Sequence, residues 1–124
     1  MMAKKIAILV MDDDDGLLEF MRAALVDAGY DVRTASDGEQ GLESLKGSKP
    51  DLAIVDLIMP RMHGFDVLEK IQQDPSLKGM RVLVASAKGY AVDHKAAERL
   101  GAERFLQKPF TVDQLLEAVK ELSE

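Results

Sequence analysis

The chain has no cysteine, which excludes disulfides, a thiolate nucleophile and a thiolate zinc site. Histidine is nearly as scarce. His63 and His94 lie far apart in the chain and without partners, so they do not suggest a metal cluster, and neither is assigned a role. Positive charge is also short: Lys+Arg 16 against Asp+Glu 22 gives a net charge of -6. A surface that binds phosphate backbones needs clustered positive charge, so DNA binding by this chain is not expected. Long apolar runs are missing as well. The opening MMAKKIAILVMDDDD starts basic, but its apolar stretch is short and ends in four carboxylates, so it is neither a signal peptide nor a membrane span. Repeats, linkers and low-complexity segments are absent, and a reducing cytoplasm is the expected setting.

What is present fits one core. A length of 124 residues with 47% hydrophobic content suffices for one globular domain and falls short of two. Ile6 to Met11 is a continuous apolar run of strand length, as expected in the middle of a parallel sheet. The spacing of Leu17, Met21, Ala24, Leu25 and Ala28 predicts a helix that Gly29 ends in the left-handed conformation. Tyr30 to Ala35 reads as a more exposed strand. Ser36 or Asp37 then caps a helix carrying Leu42 and Leu45, which Gly47 and Pro50 break. The alternation continues with a strand at Leu52 to Val55, a helix near Phe65 to Gln73, a strand at Val82 to Ala85, a helix near Ala91 to Leu100 and a strand at Arg104 to Leu106. Thr111 and Gln114 form a capping box for a last helix whose buried stripe is Leu115, Leu116, Val119 and Leu122. Five strands separated by single helices predict right-handed crossovers and a parallel sheet covered on both faces, a doubly wound α/β fold.

In such sheets ligands bind beyond the carboxyl ends of the strands, so the polar residues there carry the most information. The first strand ends in Asp12 and Asp13, the third in Asp56, the fourth in Ser86, and the fifth runs into Lys108, Pro109 and Phe110. If the first and third strands are neighbours, each pair of their charged carboxylates repels by roughly 4 kcal/mol at about 4 Å. A hard divalent cation with oxygen ligands, such as Mg2+, neutralises a group of this kind. A carboxylate beside a cation, a lysine and a hydroxyl can accept a phosphoryl group as an acyl phosphate. Asp56 is the nucleophile candidate, alone at the end of LAIV, while Asp12 and Asp13 are better placed as metal ligands. Asp14 and Asp15 read as helix N-terminal charge. An EF-hand fails, because Met11 stands where the first calcium ligand belongs and Arg22 where the closing Glu should be.

These segments resemble the response-regulator receiver domains of two-component signalling over nearly the whole chain: ILVMDDDD for the acidic pair, IVDLIMPRMHG for the phosphoacceptor, LVASA for the hydroxyl and FLQKPF for the lysine-proline segment. Their joint spacing is more specific than any one motif, with 43 residues from Asp13 to Asp56, 30 from Asp56 to Ser86 and 22 from Ser86 to Lys108. The resemblance implies a flavodoxin-like sheet of order 2-1-3-4-5. It implies that Asp56 accepts a phosphoryl group from a phosphohistidine on a sensor histidine kinase or phosphotransfer protein. It further implies that Mg2+ (or Mn2+) sits on Asp13, Asp56 and the main-chain carbonyl of Ile58, with Asp12 helping. Ser86 and Lys108 would bind the phosphoryl group, Phe105 would be the aromatic switch, and Pro109 would follow a cis peptide bond. Ile58 and Lys88 occupy positions that modulate dephosphorylation. Neither offers a water-orienting acid or amide, so a phosphoryl group that is not unusually short-lived is expected. Arg104 stands where dimerising members commonly carry an acid, which counts against dimerisation through the fourth helix, fifth strand and fifth helix; a dimer on phosphorylation is left open.

The implied output is altered affinity for a downstream protein through that same face, in a bacterial or archaeal cytoplasm. No catalysis is implied beyond the chain's own phosphorylation and slow autodephosphorylation. Residues 1–124 are expected to be a single receiver domain with no output domain. The enzyme alternative is a haloacid-dehalogenase-type phosphatase, because DDDGLL resembles that family's nucleophile motif with Asp13 as nucleophile. The lack of a further acidic pair before Pro109 and of a cap opposes it.

Overall fold

The computed structural model describes residues 5–59, 62–87 and 91–123. Strands β1 (Ala7–Met11), β2 (Asp31–Ala35), β3 (Leu52–Val55), β4 (Arg81–Ser86) and β5 (Arg104–Gln107) alternate with helices α1 (Asp15–Asp27), α2 (Gly38–Gly47), α3 (Gly64–Gln73), α4 (Ala91–Arg99) and α5 (Val112–Ser123). All strand pairs are parallel, in the order β2-β1-β3-β4-β5. The central strands are apolar on both faces because both are covered. Ile8, Val10, Ile54 and Leu83 pack under Leu18, Met21 and Leu25 of α1 and under Leu115 and Val119 of α5. On the opposite face Leu9, Met11, Val55 and Val84 meet Leu45 of α2, Val67 and Leu68 of α3 and Ala97 of α4. β2, at the sheet edge, is the more exposed strand that its mixed composition predicts.

Local chemistry sets the element ends. Asp14 caps α1 by accepting from the Leu17 amide, and of the two candidates it is Asp37 that caps α2, accepting from the Gln40 amide at 2.8 Å. Thr111 and Gln114 make the reciprocal capping box, at 2.8 and 3.1 Å. Gly29 has φ +99°, the left-handed exit that only glycine adopts cheaply.

Several details differ from the sequence reading. Leu18, not Leu17, is the buried residue in the first turns of α1, and Ala28 is exposed just beyond the helix end. In α5 Ala118 belongs to the buried stripe and Leu116 is only partly buried. Neighbouring apolar residues lie about 100° apart on a helix, so periodicity alone leaves the choice between them to the angle at which the helix meets the sheet. Tyr30 precedes its strand, while β4 and β5 run one residue further than expected, to Ser86 and Gln107. A 3-10 turn at Pro75–Leu77 was not anticipated. Asp74 builds it by accepting from the amide and hydroxyl of Ser76, with Pro75 at the first position.

Met11 packs where the next helix carries no side chain. A Cβ on Gly41 of α2 would run into the Met11 Sδ and lie 2.9 Å from its Cγ, and Met11 is 1% exposed. The thioether therefore fills a space that the glycine leaves. Gly41→Ala should cost about 1–3 kcal/mol in chemical denaturation, the usual range for overpacking, and adding Met11→Val should restore most of it. Equal losses in the single and double variants would contradict this pairing.

Candidate functional site

The parallel register sets Met11 beside both Ala35 and Val55, and Val55 beside Val84. The residues that follow these strands therefore emerge at one edge of the sheet. Asp12 continues the first ladder, its amide donating to the Ala35 carbonyl at 3.1 Å, and the Asp56 amide donates to the Met11 carbonyl at 3.1 Å. Ser86 ends β4 opposite Gln107, and the Lys108 amide donates to the Ser86 carbonyl at 2.9 Å. Backbone pairing alone thus delivers two carboxylates, a hydroxyl and a lysine to one place.

Their side chains are joined. The Lys108 ammonium donates to Asp12 Oδ2 at 2.7 Å and to Asp56 Oδ2 at 3.0 Å. Each carboxylate is held at its other oxygen by a main-chain amide: Asp12 Oδ1 accepts from Asp14 at 2.9 Å and Asp56 Oδ1 from Ile58 at 3.0 Å. Asp12, Asp56 and Ser86 are buried, whereas Asp13 is exposed. Carboxylate oxygens of Asp12, Asp13 and Asp56 lie within 4.8 Å of one another. The Lys108–Pro109 peptide bond is cis.

Burial pushes the Asp12 carboxyl above the usual carboxylate range; the Lys108 hydrogen bond and the Asp14 amide pull it back, and the charge of Asp56 adds to the rise. For Lys108 burial works the other way, but the hydrogen bonds to Asp12 and Asp56, together with their charges, outweigh it and hold the ammonium above its ordinary value. Among the described residues three carboxylates thus face one cation that stays charged. An all-oxygen donor set with excess negative charge and an exposed member fits a hard divalent cation that retains water. Asp12, Asp13 and Asp56 supply that set, and Ile58, 48% exposed, follows Asp56 on the same loop.

Gly64 has no room for a side chain, and the reason lies at the site. A Cβ there would meet the Asp56 carbonyl oxygen and lie 2.5 Å from Leu57 Cα, so the start of α3 packs directly on the backbone of the Asp56 loop. Met59 and Met80 are buried packing residues. Phe105 stands on β5 opposite Val84. Its ring stacks on His94 with centroids 3.7 Å apart, a contact the sequence reading missed when it gave His94 no role. No sequence signal would have found it, because the pairing depends on how α4 is rotated over β5. Lys88 lies outside the described residues.

The response regulator receiver domain model matches residues 8–120. This chain belongs to the response-regulator receiver family. Among curated relatives, the alkaline phosphatase synthesis transcriptional regulatory protein PhoP of Bacillus subtilis is 34% identical over 113 residues, covering 91% of this chain and 46% of the relative. The transcriptional regulatory protein GlrR of Escherichia coli is 38% identical over 117 residues, covering 94% of this chain and 26% of the relative. The chain thus spans about half, or less, of the length of such relatives. Among solved structures, the chemotaxis protein CheY4 of Vibrio cholerae superposes with TM-score 0.92 at 27% identity, covering 96% of this chain and 99% of that one. A response regulator from Chloroflexus aurantiacus gives 0.91 at 32% identity, covering 97% and 98%. The receiver is a signalling domain, and the family binds Mg2+ at its acidic pocket. Among the described residues no helix is long and apolar enough to cross a membrane.

The excess of carboxylates has a measurable consequence. Mg2+ should raise the unfolding temperature of the wild type by mass action. Asp12→Asn should raise it by a few degrees in chelator, through relief of a buried charge, and should reduce the gain on adding Mg2+. An Asp12→Asn protein less stable than wild type in chelator would contradict the electrostatic account.

Proposed function

We propose that Asp56 is the phosphoacceptor of a two-component signalling switch. The single observation that carries this reading is the Lys108 ammonium shared between the buried carboxylates of Asp12 and Asp56. A carboxylate held on one oxygen by the Ile58 amide and on the other by Lys108 has little freedom left to misorient. An Asp56 oxygen attacks the phosphorus of a phosphohistidine on a sensor histidine kinase or phosphotransfer protein; a P–O bond forms as the P–N bond breaks, and the imidazole leaves. Lys108 keeps Asp12 and transfers its second hydrogen bond to a phosphoryl oxygen, and the Ser86 hydroxyl binds another. Asp13, Asp56 and the Ile58 carbonyl, with Asp12 close by, would hold Mg2+ (or Mn2+), which would supply positive charge to offset that on the phosphoryl oxygens.

The chain catalyses its own phosphorylation and slow autodephosphorylation, and no other reaction. Phe105 moves inward as Ser86 engages the phosphoryl group, which changes the face formed by α4, β5 and α5 and its affinity for a downstream protein. Residues 1–124 act as one receiver domain, monomeric at rest, in a bacterial or archaeal cytoplasm. The acidic balance of the chain argues against DNA binding by the receiver itself. The family match speaks for this reading over a phosphatase with Asp13 as nucleophile.

Intact-mass spectrometry after incubation with acetyl phosphate tests the assignment. One Mg2+-dependent phosphoryl adduct is expected on wild type and none on Asp56→Asn. An adduct that survives Asp56→Asn overturns the assignment and turns attention to Asp13. Ile58, half exposed on the loop after Asp56, is apolar and orients no water. Ile58→Asn should therefore shorten the lifetime of the adduct several-fold, followed by the decay of the same mass peak; an unchanged decay would remove Ile58 from this role.

A further inference from the structure

The resting position of Phe105 is fixed by more than the core. Its ring is stacked on the imidazole of His94, with planes 23° from parallel and centroids 3.7 Å apart. Phe105 comes from β5 and packs against the cluster that contains Val84 and Ala97, while His94 comes from α4. Among the described residues the buried Nε2 of His94 has no hydrogen-bond partner. What holds the imidazole there is therefore ring contact rather than a bond at that nitrogen. Register shows what the contact opposes. Phe105 lies opposite Val84, and Ser86 opposite Gln107. Side chains two apart on a strand share a face, so Phe105 and Ser86 project toward the same side of the sheet. A ring that swings toward Ser86 must leave His94.

We propose that His94 is a positioning residue for the switch: its stack on Phe105 holds the resting arrangement and thereby weakens phosphoryl binding at Asp56. The proposal rests on the roles given to Asp56 and Phe105 above and adds the element that sets their resting balance. Two sites that bias one equilibrium are coupled reciprocally, so loss of the stack tightens binding of a phosphoryl analogue at the far end of β4. The size of the effect is the worth of one stacked aromatic pair, about two- to tenfold in affinity.

The test uses the whole chain with 4-fluorophenylalanine at its four phenylalanines, the Phe105 resonance being assigned with Phe105→Leu, and a titration with beryllofluoride in Mg2+. In the metal-free protein His94→Ala should move the Phe105 fluorine resonance toward its position in the beryllofluoride complex. It should also tighten beryllofluoride binding about two- to tenfold. His94→Phe, which keeps a ring, should bring both readouts back to wild type, and in a Phe105→Leu background His94→Ala should have no effect on affinity. A fold defect in His94→Ala would weaken binding, the opposite sign. Unchanged or weaker binding by His94→Ala, while the wild type binds, overturns the role of His94 and leaves the reading of Asp56 intact. The same gain in the Phe105→Leu background overturns it equally, because the effect would not pass through the stack. Failure of the wild type to bind beryllofluoride in Mg2+ overturns the reading of Asp56 and this proposal with it.

Discussion

One ammonium group, on Lys108, bridges the carboxylates of Asp12 and Asp56 across 96 and 52 residues of sequence. Buried carboxylates without partners are costly, and a pair side by side more so. The lysine makes the arrangement tolerable without neutralising it, since Asp13 adds a third carboxylate within 4.8 Å. The fold serves this arrangement: β1, β3 and β5 end at one edge of the sheet, and main-chain amides from Asp14 and Ile58 orient the carboxylates that the lysine joins. The residual negative charge is what a divalent cation and a phosphoryl group can use.

The same edge connects to the rest of the molecule through rigid contacts. Gly64 lets α3 rest on the backbone of the Asp56 loop. The Lys108 amide ties β5 to the Ser86 carbonyl at the end of β4, so a displacement at Ser86 is felt by β5 directly. Beyond them α4 is fastened at its carboxyl end, where Gln72 Nε2 donates to the Arg99 carbonyl at 3.0 Å. Nearer the site α4 meets β5 through the His94–Phe105 stack, while Gln107 Nε2 of β5 donates to the Ala87 carbonyl just after β4 at 3.3 Å. Aromatic contacts are weak beside backbone ladders, which suits an element that has to exist in two arrangements.

Much of this was legible in the sequence because it depends on local signals. Apolar runs of strand length, capping residues and Gly29 mark where elements start and stop, and the parallel sheet they imply puts strand-end polar residues together without knowledge of any contact. Asp12, Asp56, Ser86 and Lys108 are found at one sheet edge for that reason. What could not be read depends on rotation and docking. Leu17 and Leu18 are adjacent apolar residues, and only the seating of α1 on the sheet decides that Leu18 is the more buried. Ala118 is small enough to look neutral in a pattern and is buried because α5 lies close to the sheet. Met11 closes the first apolar run, but its partner, the bare backbone of Gly41, became visible only in three dimensions. His94 carried no signal at all, since an imidazole on a mostly polar helix acquires meaning only when α4 is laid over Phe105.

The most direct test of the central claim is a crystal structure of the chain with Mg2+ and beryllofluoride. The account predicts beryllium on an Asp56 carboxylate oxygen, Lys108 bonded to a fluorine while still paired with Asp12, and the metal on Asp13 and Asp56. Beryllium on Asp13, or Lys108 remaining on both Asp12 and Asp56 with the analogue bound elsewhere, would contradict it.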